Sequence, residues 1–161
     1  MTDLLTAEPI QNQERLLLAR ASIGLQQFHQ VIEWLAPLST ELTTLPDDTI
    51  KQAAGIYFQA KATRLTAAMM AELVRRKPDD IDLSRQLTGL YIQLQDFTNA
   101  LDLWSLTFSR NLITQAQDWL LLADLHHRQG SPEKSARLMV TGIEKGVIPE
   151  TPQHYYRLFE F

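Results

Sequence analysis

The sequence predicts an all-α protein built from stacked antiparallel helical hairpins, and three observations support this fold class. Residues 51–59 and 85–93 carry one pattern 34 residues apart, in which Gln, Gly, Tyr and Gln recur identically and Lys is matched by Arg. A repeat of about 34 residues is the length of one helix–turn–helix unit. Apolar residues recur at intervals of three and four, the period of an amphipathic helix. The short alternating runs that are typical of strands are missing.

Four helices are expected in the first half of the chain, at about residues 11–23, 28–40, 48–59 and 63–76. Gly24 ends the first of them. Pro46 separates the second from the third, because proline cannot continue a helix, and the following Asp47-Asp48 can accept hydrogen bonds from the free N–H groups of a helix start. Pro78 repeats this boundary 32 residues later.

Five helices are expected after that boundary, at about residues 81–94, 97–110, 114–128, 132–145 and 153–161. Gly130 ends the third of these. Ser131, Pro132 and Glu133 then open the next helix as N-cap, first helical residue and acidic residue of the first turn. Gly146 is expected to end it, since glycine is favoured just after the last helical turn.

A second repeated block supports the same frame. Residues 25–33 match residues 94–102 at an offset of 69, which is two repeats. The frame has four hairpin units at about 11–45, 47–78, 80–112 and 114–147, followed by a partial unit at 151–161. We expect these units to form a single domain over residues 1–161.

Composition narrows the function. Apolar residues make up 45 % of the chain and charged residues 21 %, and no apolar run approaches a membrane span. The net charge of −4 disfavours nucleic-acid binding, and the absence of Cys excludes disulfides and thiolate sites. The N-terminus lacks the features of a signal peptide. We therefore expect a cytoplasmic protein if Met1 is native, and a periplasmic location remains open if the chain is part of a longer envelope protein.

The repeated residues resemble the tetratricopeptide repeat. Trp119, Leu122, Ala123 and His126 have the spacing of that family's first helix. The unit before matches it at Leu87, Thr88, Tyr91, Ala100 and Trp104, and the second unit at Tyr57 and Pro78. The resemblance covers about residues 16–161. It implies a right-handed superhelix of about four hairpins plus a terminal helix, and residues 130–146 are similar to units of large bacterial envelope-associated proteins of this family.

The pattern departs from that of the family in three places. Gly55 and Gly89 lie one position later than the family's glycine, and Thr66 stands where Ala is expected. The first unit is recognisable mainly in its second helix. A related helical-repeat family with similar hairpins is therefore the alternative.

Residues that could carry catalysis have simpler explanations. His126 and His127 are neighbours on a helix and point in different directions, so they do not form a metal site. Asp47-Asp48 and Asp79-Asp80 each follow a proline at a helix start, where capping explains them. No glycine-rich phosphate loop or nucleophile motif is present. We expect no enzyme activity, no cofactor and no metal.

The resemblance places the partner-binding residues on the first helix of each hairpin, which lines a concave groove in this family. The expected residues are Lys51, Gln52, Gly55, Gln59, Arg85, Gln86, Gly89, Gln93, Leu120, Asp124, His127 and Arg128. They would offer amides and charges to a peptide backbone or an acidic side chain. Solvated polar positions are the alternative reading. We expect the cations at 51 and 85 to be exposed and to contribute little to stability.

The leading hypothesis is a non-enzymatic scaffold that binds a protein or peptide in this groove. The alternative is a structural spacer or oligomerisation segment of a larger solenoid, with no peptide ligand. A nucleic-acid binder is a remote third possibility, and no direct membrane insertion is expected. The terminal residues 155–161 are aromatic and suit contact with another chain, so self-association through the last helix is also expected.

Overall fold

The computed structural model describes residues 10–154, which form eight α-helices of three or more turns and contain no strand. The helices are α1 Asn12–Gly24, α2 Phe28–Thr40, α3 Asp47–Gln59, α4 Thr63–Arg76, α5 Ile81–Gln93, α6 Phe97–Ser109, α7 Ala116–Arg128 and α8 Pro132–Glu144. The chain divides into two compact units, Met1–Leu73 and Val74–Phe161. A single domain over residues 1–161 stays a prediction.

The predicted helix bounds agree closely with the structure. α2 and α4 have the predicted ends, and α7 differs most, beginning at Ala116 rather than at residue 114. Residues 152–154 are helical. The rest of the last predicted helix, and with it the expected self-association surface, lies outside the described residues.

In the first unit, α1 packs against α2, and α3 packs against both. The small Ala19 on α1 and Val31 on α2 are fully buried, as the crossing positions of a hairpin require. The α2 helix contains Pro37, and the helix continues through this residue as the sequence predicts. Since Pro37 lies in the last turn of α2, it removes one hydrogen bond without ending the helix.

In the second unit, α5 packs against α6, α6 against α7, and α7 against α8. Trp104 and Trp119 are buried in one apolar cluster together with Leu122, Leu125 and Ile148. Each indole is also hydrogen-bonded: Trp104 Nε1 donates to the Asp118 carbonyl at 3.0 Å, and Trp119 Nε1 to the Ile113 carbonyl at 3.3 Å. The two tryptophans therefore join α6, α7 and the loop between them.

Six connections share one backbone conformation. Each places a residue with φ between 58° and 70° after the helix end, namely Gln26, Lys61, Gln95, Asn111, Gly130 and Gly146. In each, the next N–H group bonds to a carbonyl five residues earlier, as Asp96 does to Tyr91 at 2.8 Å. This is the Schellman motif. The spacing of 34 or 35 residues between the hairpin turns at 26, 61, 95 and 130 reproduces the sequence repeat in the backbone.

The helix starts differ in how they are capped. Asp80 is the N-cap of α5, and its carboxylate accepts from the N–H groups of Asp82 and Leu83, as expected. The expectation for α3 is wrong in detail, because Pro46 is the N-cap and Asp47 already lies in the first turn. Ser131 is the N-cap of α8, but its side chain makes no capping hydrogen bond.

Candidate functional site

The predicted residues of the first unit lie on α3. Lys51, Gly55 and Gln59 are exposed there. Gln52 is half-buried and already bonded within the chain: its carbonyl oxygen accepts from Arg20 Nη2 at 2.7 Å, and its amide donates to Asp48 Oδ2 at 2.8 Å. Three of these four positions are therefore free for contact, and Gln52 instead ties α3 to α1.

On α5, Gln86, Gly89 and Gln93 are exposed. They lie at intervals of three and four, so they form one stripe along the helix. This stripe is equivalent to Gln52, Gly55 and Gln59 on α3, 34 residues earlier.

The predicted residues of α7 are more mixed. His127 and Arg128 are exposed, whereas Leu120 and Asp124 are half-buried. The Arg128 guanidinium carbon lies 5.2 Å from the centre of the Phe97 ring, within cation–π range. Arg128 thus contacts the start of α6, and its charge stays accessible.

Arg85 differs from Lys51, its counterpart one repeat earlier. Its Nε and Nη2 donate to the two carboxylate oxygens of Asp118 at 3.3 and 3.0 Å, and its Nη1 donates to Asp82 at 2.7 Å. The Asp118 side chain is 4 % exposed and that of Arg85 is 35 % exposed. Hydrogen bonding to Asp118 raises the pKa of Arg85, and burial opposes this rise. The expectation of an exposed cation is therefore correct at Lys51 and wrong at Arg85, which links α5 to α7.

Asp118 and Arg20 are not among the residues that the sequence predicted. A signal for Asp118 was present, because it lies in a predicted helix, next to Trp119 and about one repeat after Arg85. An acidic residue on an apolar helix face usually needs a buried partner. No comparable signal marks Arg20.

The two repeated glycines have open surroundings. A Cβ atom built on Gly55 or on Gly89 meets no heavy atom of another segment within 4 Å. Gly142 in α8 is the opposite case, because its Cβ would lie 2.6 Å from Ile148 Cδ1 and 3.0 Å from Trp119 Cε3. Packing therefore explains Gly142 and does not explain Gly55 or Gly89.

Few of the described titratable groups have a shifted pKa of the kind found in catalytic residues. Burial raises the pKa of Tyr57, against a hydrogen bond with Ser39 that lowers it. Burial, and then the charge of Lys134, lowers the pKa of His126. Within residues 10–154, no group of three His, Asp or Glu side chains is arranged to hold a metal ion. None of the described helices is long and apolar enough to span a membrane.

Comparison with known proteins shows which solved structures share this fold. Neither a protein-family model nor a curated protein matches the chain. Among solved structures, the thermophilic TPR protein TTC0263 of Thermus thermophilus is 16 % identical over 97 % of this chain and 84 % of that one, with a TM-score of 0.50. The structure of MamA MSR-1 C2 is 12 % identical over 91 % and 95 % of the two chains, with a TM-score of 0.52. The chain thus has the helical-hairpin repeat fold of tetratricopeptide proteins, as its sequence predicted.

Proposed function

We propose that the protein is a non-enzymatic scaffold whose first helices bind a segment of a partner protein. The binding surface of the second unit is the exposed stripe on α5 with the accessible residues of α7, and that of the first unit is the exposed part of α3. Folds of stacked helical hairpins offer extended surfaces of this kind, which supports the proposal.

The observation that carries the proposal is the open space at Gly55 and Gly89. Glycine inside a helix costs about 0.5–1 kcal/mol relative to alanine. Nothing in the free protein offsets this cost at either position, since no neighbouring segment occupies the space. Bare backbone at two equivalent positions lets a ligand approach closely, and this is a use for glycine that does not depend on packing.

The groups around these glycines suit an extended peptide. The exposed amides of Gln59, Gln86 and Gln93 can both donate to and accept from a peptide backbone. Lys51 and Arg128 add accessible positive charge. Arg85 does not extend this set, because Asp118 and Asp82 occupy its nitrogens.

The test is affinity capture of a partner from an extract of the native organism, followed by calorimetric titration of the purified partner. The double variant Gly55→Ala/Gly89→Ala adds two methyl groups to the proposed surface, and we expect it to bind about tenfold more weakly. Asp102→Ala on the exposed side of α6 is the control and should bind as the wild type does. A partner that binds the glycine variant at full strength would place its site elsewhere, and the absence of any stoichiometric partner would favour the spacer alternative.

That alternative, a spacer or oligomerisation segment, is favoured by one observation. Leu17 and Leu25 in and after α1 are 63 % and 69 % exposed, and Phe28 and Ile32 on α2, which packs against α1, are 41 % and 39 % exposed. Such an apolar surface suits cover by a preceding hairpin or by a second copy. Sedimentation at increasing concentration tests it, since Leu17→Lys/Leu25→Lys should reduce any self-association. A wild type that stays monomeric throughout would count against this alternative.

A further inference from the structure

A second candidate site lies in the second unit, away from the surface proposed above on α3, α5 and α7, which we call the first-helix surface. A groove of about 480 Å³ opens between α6 and α8, with α7 beneath it. Its lining residues are Ser105, Phe108, Trp119, Leu122, His126, Lys134, Arg137, Leu138, Thr141 and Lys145. None of the residues assigned to the first-helix surface is among them. The groove is therefore a separate surface.

The floor of the groove is apolar and recessed. Phe108 and Trp119 meet edge to face, with ring centres 4.9 Å apart. Trp119 is 5 % exposed and Leu122 is 2 % exposed, so only a side chain that protrudes into the groove could reach them. Aromatic and aliphatic floors of this kind usually accept one large apolar side chain as an anchor.

The rim of the groove is positively charged. Lys134, Arg137 and Lys145 lie on one face of α8 and its end, at intervals that bring them to the same side of the helix. None of the three forms an ion pair with another residue of the described part of the chain, although the Lys145 ammonium lies 5.9 Å from the centre of the Trp119 ring. Among residues 10–154, no Asp or Glu lines the groove. In a protein of net charge −4, this is a local concentration of accessible positive charge.

We propose that this groove binds an acidic peptide segment of a partner protein, in which a bulky apolar side chain is flanked by carboxylates. The apolar side chain would pack on Phe108, Trp119 and Leu122. The carboxylates would pair with Lys134, Arg137 and Lys145, where charge-assisted hydrogen bonds are available. Charge complementarity identifies the occupant, since an apolar floor alone would fit any hydrophobic segment.

Two other polyanions fit the groove less well. A bilayer surface is flat, and the apolar residues here are recessed below a charged rim, whereas membrane-surface helices present their apolar residues outward. Nucleic acid needs a basic surface that follows many phosphates, and three cations on one helix of an acidic protein do not provide it. A short peptide needs only one anchor and a few charges.

The test is selection of peptides of about ten residues from a random display library against the full chain. We expect the enriched sequences to place two or more Asp or Glu around a Phe, Trp, Leu or Ile. In fluorescence anisotropy, Lys134→Glu/Arg137→Glu should then bind the most enriched peptide at least about tenfold more weakly, and added salt should weaken wild-type binding. Lys61→Glu/Arg64→Glu makes the same charge change on exposed residues of the first unit and should bind normally.

Further measurements separate this site from the first-helix surface. Gly55→Ala/Gly89→Ala should bind the selected peptide as the wild type does, whatever it does to the captured partner. The indole N–H signal of Trp119 should shift on titration in the wild type and not in the charge-reversed variant. Enrichment of basic or uncharged peptides, or equal binding by the two charge-reversed variants, would overturn the proposal. The absence of any peptide binding would also overturn it. This includes the case in which phosphatidylserine vesicles or single-stranded DNA bind instead and their binding depends on Lys134 and Arg137.

Discussion

Replacing Arg85 by Ala removes three guanidinium nitrogens, two of which bond to Asp118 on α7 and one to Asp82 on α5 itself. The Asp118 carboxylate would then be buried with a side-chain exposure of only 4 % and without its cation. Removing one partner of a fully buried ion pair costs about 3–5 kcal/mol, mainly because the remaining charge is unpaired. Arg85 itself is 35 % exposed, so water can reach part of the site and the expected loss is smaller, about 2–3 kcal/mol.

The chain offers a matched control in Arg110. Its side chain is also 35 % exposed, and its Nη1 lies 3.4 Å from the Asp79 carboxylate, but the Asp79 side chain is 81 % exposed. Surface ion pairs of this kind contribute about 0–1 kcal/mol. The two arginines therefore differ mainly in how deeply the partner carboxylate is buried. Arg110→Ala should lower the free energy of unfolding by less than about 0.5 kcal/mol.

Urea denaturation followed by far-UV circular dichroism measures both variants, with the midpoint and slope compared at fixed pH. Arg85→Met/Asp118→Leu should be more stable than Arg85→Ala, because no unpaired charge stays buried. Arg85→Lys should fall between wild type and Arg85→Ala, since it keeps the charge and loses the two-nitrogen contact. Equal losses for Arg85→Ala and Arg110→Ala would refute the reasoning. Additive effects in the Arg85/Asp118 double-mutant cycle would also refute it.

Three further predictions concern the interior and the turns. Gly142→Ala should lower the free energy of unfolding by about 1–3 kcal/mol, because the new Cβ would overlap Ile148. Gly89→Ala places its Cβ in open space and should raise the free energy of unfolding by about 0.5–1 kcal/mol in the same urea titration. Lys61→Gly should stabilise the protein by about 1 kcal/mol, because φ is 58° at this position and a side chain is strained there. The pKa of His126 is lowered below its usual 6.5, so the unfolded chain takes up that proton first. The stability contributed by neutral His126 should be complete above pH 6.5 and be lost as pH falls toward the lower folded pKa, as thermal melts across this range would report.

Each of these has an outcome that contradicts it. If Gly142→Ala and Gly89→Ala change stability in the same direction, the close contact at Gly142 does not control the effect. If Lys61→Gly is less stable than the wild type, the Lys61 side chain stabilises the fold by more than the strain at its positive φ costs. For the pH effect, His126→Gln should reduce the fall in melting temperature below pH 6.5, and an unchanged dependence on pH in this variant would contradict the assignment to His126.

The helices were predictable because their local signals are strong. Apolar periodicity, Pro78 followed by Asp80, and Gly130 at a helix end each act within one turn of helix, so they can be read without the fold. The pairing of Arg85 with Asp118 depends on two helices that meet only after folding. Exposure at repeated polar positions therefore could not be inferred from the repeat alone. Lys51 and Arg85 are equivalent in sequence and differ in the structure because a carboxylate faces only the second.

The groove between α6 and α8 was hidden from the sequence for a similar reason. Trp119 and Leu122, which the sequence matches to the repeat pattern, are buried, and Phe108 packs against them. Lys134, Arg137 and Lys145 lie on a helix that also carries Glu133 and Glu144, so the local charge is close to balanced in sequence. The spacing of the three cations already puts them on one side of α8, but only the packing of α8 with α6 and α7 makes that side the rim of a groove.

The Arg85–Asp118 ion pair also limits how freely the hairpins could be exchanged. Repeat proteins are often treated as modules that can be shuffled, deleted or duplicated. The positions equivalent to this pair one repeat earlier are Lys51 and Ser84, and two repeats earlier they are Leu16 and Thr49, so neither of these earlier junctions carries the same partners. A hairpin that begins with α7 would bury an uncompensated carboxylate wherever it followed a hairpin without that arginine. This junction therefore fixes the order of the two hairpins, although the backbone geometry of the turns would accept others.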